Sequence, residues 1–210
     1  KQRPSKPFAL LYPSIEKIKN DFKVSTQEEK ALTSSTAPIV VLNPKKEIDA
    51  LEVESIAPKL HQLGVMLPSS ALLTLLMDEL KTPITATSGN IHGSPIIAKK
   101  DEAIEKLYGV ADYFLHHNLE ISFPQDDSVV RFADEHQITL RRSRGIAPNY
   151  MGNSSLNNEK VLAMGAHLKS AFTYTPNSHT YLSPFFGNLD SYDVLERYQE
   201  SIAKYTALFE

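Results

Sequence analysis

The feature that most constrains this chain is a repeated change of period. From residue 8 to residue 142, short apolar runs alternate with stretches that carry an apolar residue every third or fourth position. Residues 8–12 form an apolar run ended by Pro13, which predicts a buried strand. Ser14 is placed to cap a helix with Ile15, Ile18 and Phe22 on one face. Ser25 and Glu28 have capping-box spacing and start a second helix. Strands are expected over 37–42, 64–68, 83–87 and 112–115, and helices over 51–63, from Ser70 to Leu80, and over 101–108. The runs 128–133 and 137–142 flank Asp134-Glu135-His136 and predict a hairpin. Such alternation implies an α/β domain built on a mixed sheet.

Composition changes at Pro148. Residues 148–160 hold Gly, Ser and Asn with Leu156 as the only aliphatic residue, which has the composition of a linker. Three strand-like runs follow, at 161–164, 171–174 and 180–183. Ser191 is then positioned to cap a helix striped with Val194, Leu195, Tyr198, Ile202, Tyr205 and Phe209. This last segment is too small to cover that stripe alone, so it reads as the start of a second domain, able to dock on the first or to self-associate. The domain organisation expected is therefore 1–147, a linker at 148–160, and 161–210. The charged opening before the first apolar run, and a helix running to Phe209 without a stop signal, suggest a piece of a longer protein.

A net charge of −3 argues against a uniformly basic nucleic-acid coat. The absence of cysteine excludes disulfides, thiolate metal sites and a cysteine nucleophile. No apolar run approaches the roughly 20 residues of a spanning helix, and a soluble, cytoplasmic protein is expected. The seven histidines show no ligand spacing, so no zinc is expected.

Three constellations carry chemistry. Lys1-Gln2-Arg3-Pro4-Ser5-Lys6 puts three cations in six residues, with Lys1 and Arg3 on one face if extended; it suits an anion or a solvated charged edge. Thr87-Ser88-Gly89-Asn90-Ile91-His92-Gly93 ends a strand, as an anion-cradling loop or an ordinary turn. Asp126-Asp127-Ser128 stands opposite Arg141-Arg142-Ser143-Arg144-Gly145, either to handle Mg²⁺ and phosphates or to pair charges across a hairpin.

At these residues the sequence resembles the YrdC family, whose K-x-R-P element and T-S-x-N-x-x-G loop line a basic nucleotide cavity. The ordered series RPSKPFALL, TSSTAPIVVL, GVMLP, FLHHN, DDSVVR and LRRSRGIAP resembles the YrdC-like domain of the HypF hydrogenase-maturation carbamoyltransferases. There an actin-like ATPase (TsaD-like) domain follows, and residues 162–171 and 181–190 look like its opening strands and phosphate-side turn. The resemblance implies a YrdC-like twisted mixed sheet with flanking helices, followed by the truncated start of a TsaD-like domain. It also implies a reaction: ATP with Mg²⁺ and carbamoyl phosphate give carbamoyl adenylate and pyrophosphate, and the carbamoyl group then passes to the C-terminal cysteine of a HypE-type acceptor.

Carried over, Lys1 and Arg3 would meet phosphate and carbamoyl oxygens as the catalytic pair. Ser88 and Asn90 would bind the phosphate and ribose side of the adenylate. Ser128 and Arg141 would close the cavity, with Lys6, Thr87, Arg142 and Arg144 as further phosphate contacts. The chain departs from the pattern at Ser69-Ser70-Ala71, at Pro124, and at Phe185-Phe186 with Asn188. Two other readings remain: a small-molecule O-carbamoyltransferase, and a double-stranded-RNA-binding module of YrdC type.

Overall fold

The computed structural model describes residues 6–45, 48, 51–153 and 159–209. They fall into two compact units that interleave along the chain: 6–87 with 127–145, and 88–126 with 146–209.

The first unit is built on a seven-stranded mixed sheet. Its strands are β1 (Ala9–Leu11), β2 (Phe22–Lys23), β3 (Ile39–Pro44), β4 (Leu63–Met66), β5 (Ile84–Ala86), β6 (Val129–Ala133) and β7 (His136–Arg141). The order is β5-β1-β4-β3-β6-β7, with β2 paired to β3. β1 runs parallel to β4, and β3 parallel to β6; the other pairs are antiparallel. Leu10, Val40, Leu42 and Val65 are wholly buried, as continuous apolar runs in a covered sheet should be. Leu11, Ile39, Met66 and Met77 form one core cluster with Leu73 and Ile84 against them.

The helices of this unit start where their capping residues place them. Ser14 accepts from the Lys17 amide at the head of α1 (Ile15–Asp21). Ser25 and Glu28 complete a reciprocal capping box on α2 (Thr26–Leu32). Ser70 accepts from the Leu73 amide on α4 (Ala71–Leu80). Between them, the helix expected over 51–63 shrinks to α3 (Val53–Ile56). Pro58 explains the loss, since it lacks an N–H and disfavours the helical conformation in Ala57 before it.

Tyr12 is wholly buried, and its hydroxyl donates to Asp21 Oδ2 at 2.7 Å. Burial first, then the Asp21 hydrogen bond and charge, push its pKa well above the ordinary tyrosine value. A raised folded pKa contributes stability that is complete below the unfolded value near pH 10 and is lost as pH rises above it. Tyr12→Phe should therefore cost about 1.5 kcal/mol at neutral pH. Its stability should also fall less steeply than the parent's above pH 10, as read by urea unfolding across the alkaline range.

The second unit holds α5 (Lys100–Leu107), a four-stranded antiparallel sheet and α6 (Tyr192–Leu208). The sheet order is β8-β11-β10-β9, from β8 (Asn149–Asn153), β9 (Val161–Met164), β10 (Phe172–Thr175) and β11 (His179–Leu182). β8 lies in the stretch whose composition suggests only a linker; Tyr150 pairs with Tyr181 and Asn149 with Leu182. The strand expected over 112–115 does not form; a single bridge, Tyr108 to Ala111, stands just before it. The α6 stripe closes an aromatic core: Phe172, Tyr174, Tyr198 and Tyr205 are buried, with Phe186, Ile202 and Phe209 around them. Phe123, from the 88–126 segment, packs edge-on against Tyr205 at 6.1 Å. Ser191 does not cap α6 with its side chain.

Candidate functional site

Of the residues singled out in the sequence, Lys1 and Arg3 lie outside the described residues. Lys6 is described and exposed. The others occupy two places, one in each unit.

In the second unit, the loop after β5 is organised by its own polar side chains. The Ser88 hydroxyl donates to Asn90 Oδ1 at 2.6 Å, and Asn90 Nδ2 donates to the Ser94 carbonyl at 2.7 Å. The Asn90 amide donates to the Ser88 carbonyl, and the Ile97 amide to the Gly89 carbonyl. These bonds fold 88–97 back on itself and fix the Asn90 amide plane. Meanwhile the backbone amides of Ile91, His92 and Gly93 have no partner among the described residues. Successive unsatisfied amides in a turn make a concavity that suits an anion's oxygens. Ser94 is a further member of the loop's frame; the signal for it in the sequence is only the need of the Asn90 side-chain amide for an acceptor close by.

In the first unit, the centre is the meeting of 127–128 with 141–145. Ser128 is wholly buried; its hydroxyl accepts from the Ser143 amide at 2.9 Å and donates to the Arg144 carbonyl at 2.9 Å. Arg144 lays its guanidinium on Asp127 Oδ1, at 2.8 Å from Nη2 and 3.0 Å from Nε, and Nη2 also donates to the Ala37 carbonyl at 2.9 Å. Arg141 Nε donates to the Asp127 carbonyl at 2.7 Å. Asp127 thus orients a cation. Arg142 is different: half-buried, it makes no hydrogen bond or ion pair among the described residues. Ser143 is wholly buried with its hydroxyl unpartnered. Thr87, exposed, ends this unit's chain segment.

Among the described residues no group of His, Asp and Glu converges to hold a metal ion. No helix among them is long and apolar enough to cross a membrane.

Comparison with known proteins gives this geometry a family. A family model described as telomere recombination, for the Sua5, YciO and YrdC proteins, matches residues 1–143, and the HypF Kae1-like domain model matches residues 156–210. The chain is 37% identical to carbamoyltransferase HypF of Synechocystis over its whole length, which is 27% of that relative. It is 37% identical to the probable carbamoyltransferase HypF of Methanocaldococcus jannaschii over 91% of this chain and 24% of that one. Thus it spans about a quarter of the curated relatives it matches. A crystal structure of full-length HypF in a phosphate- and nucleotide-bound form superposes with a TM-score of 0.93 at 38% identity, over 99% of this chain and 32% of that one. Sua5 of P. abyssi, complexed with L-threonine, shares the fold at TM-score 0.57 and 22% identity, over 68% of this chain and 42% of that one. The chain belongs to the Sua5/YciO/YrdC family, and within it to the HypF type, in which the YrdC-like fold runs on into a Kae1-like segment.

Proposed function

We propose that this chain is the adenylate-forming part of a carbamoyltransferase. It takes ATP, with the Mg²⁺ that accompanies the nucleotide, and a carbamoyl unit derived from carbamoyl phosphate. Water first splits carbamoyl phosphate into carbamate and inorganic phosphate; a carbamate oxygen then attacks the α-phosphorus, the bond to the bridging oxygen of the β-phosphate breaks, and pyrophosphate leaves with that electron pair. The carbamoyl adenylate formed is then the donor for a HypE-type cysteine acceptor, a step assigned to the longer protein. The division of labour proposed is a YrdC-like domain at 1–147, a connecting segment at 148–160 and the start of the TsaD-like domain from 161.

The observation that carries this reading is the 88–97 loop, where Ser88, Asn90 and Ser94 form one hydrogen-bonded frame and leave three successive amides open. In adenylation, negative charge gathers on the phosphate oxygens in the transition state. Donors fixed beforehand stabilise that charge without reorganising. Lys1 and Arg3 would supply cations for the same oxygens, with the Arg fork suited to two at once. Arg141 and Arg144 are engaged in holding the 127–128 segment in place.

The test is pyrophosphate release from ATP, with and without carbamoyl phosphate. Release that depends on carbamoyl phosphate, and that drops at least tenfold in Asn90→Ala, is the expected result. Release indifferent to Asn90→Ala would remove the loop from the reaction.

A further inference from the structure

A second charged feature lies wholly within the second unit. A cavity of about 1100 Å³ opens between the 91–125 segment and one face of α6. Arg197, Ser201 and Lys204 line it at spacings of four and three residues, so they share that face. Opposite stands Phe123; Lys204 Nζ donates to the Ser122 carbonyl at 2.9 Å and sits 5.5 Å over the Phe123 ring.

Arg197 is the unexplained residue. It is half-buried, and its guanidinium makes no hydrogen bond or ion pair among the described residues. The Ser201 hydroxyl likewise has no hydrogen-bond partner among them. Burial holds the Arg197 pKa below the ordinary guanidinium value, while Glu200, Glu102 and Asp126 act on it only through longer-range charge. The nearby acids do not neutralise it directly. Glu102 is taken by Lys106 at 2.9 Å, and Asp193 stands 4.0 Å from the same ammonium. A cation taken partly out of water without a counter-ion is costly, and a ligand that supplies the charge relieves that cost.

We propose that this cavity is a binding site for a compact oxyanion, of the size of phosphate or pyrophosphate. Arg197 grips two of its oxygens and the Ser201 hydroxyl, one turn further along α6, donates to a third. Ile91, Ser94, Pro95 and Ile97 of the 88–97 loop line the same cavity, so the experiment has to tell an oxyanion held by Arg197 from one held by the loop amides.

Pyrophosphate is the probe, titrated calorimetrically into the parent, Arg197→Gln, Ser201→Ala and Asn90→Ala. Unfolding midpoints are measured in parallel, so that a loss of fold is not read as a loss of site. The expected result is a binding event that survives Asn90→Ala, weakens about tenfold to a hundredfold in Arg197→Gln, and weakens severalfold in Ser201→Ala. Binding unaltered in Arg197→Gln, or abolished by Asn90→Ala alone, would overturn the proposal.

Discussion

Gly145→Val should leave little folded protein. Gly145 has φ +82°, and a Cβ there would lie 2.4 Å from the Thr36 carbonyl oxygen and 2.8 Å from its Cα. Both are backbone atoms, so no side chain can swing aside. The left-handed conformation alone costs a residue with a Cβ about 1–2 kcal/mol. Displacing the 36–37 backbone would also pull the Ala37 carbonyl from Arg144, and Arg144 from Asp127. Together these put the expected cost at about 4 kcal/mol or more, in the rare tail of single substitutions. Gly93→Ala is the internal control: φ is +83°, but nothing lies within 4 Å of the added Cβ. It should cost only about 1 kcal/mol, the conformational part alone. Urea unfolding of the two variants separates steric clash from backbone strain, and similar losses would show that the close approach to Thr36 does not matter.

Phe172→Ala should be nearly as severe in the other unit. Phe172 is 1% exposed, and its ring meets Tyr205 at 5.1 Å, Tyr198 at 5.6 Å and Phe186 at 5.9 Å. Removing it takes away the ring about which three others are arranged and leaves a cavity under α6. A buried Phe→Ala typically costs about 3–5 kcal/mol. Amide exchange should quicken throughout β9, β10, β11 and α6. Unchanged protection in α6 would mean that the helix is not held by this core.

What was legible in the sequence was local. Ser14, Ser25 and Ser70 mark helix starts because a cap is decided within four residues, and the capping box at Ser25 and Glu28 forms as its spacing requires. The frame of the 88–97 loop was partly legible for the same reason, since Ser88 and Asn90 are two residues apart. What failed was decided at a distance or by one breaker. β8 is polar and exposed, and only its pairing with β11 makes it a strand. Over 51–63 the helical pattern continues past Pro58, but the helix itself ends at Ile56 ahead of that breaker. Among the three arginines, the sequence could not tell which one Asp127 would take, because that depends on the register of β6 against β7 and on the turn at Gly145. The structure ties down Arg144, while Arg142 makes no side-chain hydrogen bond or ion pair among the described residues.

The adenylate-forming role proposed for this chain requires that it bind ATP itself. Calorimetric titration of ATP into the parent and into Arg3→Ala tests it most directly. The account predicts saturable binding by the parent and a loss of about tenfold to a hundredfold in Arg3→Ala, the worth of one charge-assisted phosphate contact. A folded parent that takes up no ATP, or an Arg3→Ala variant that binds it as tightly as the parent, would contradict it.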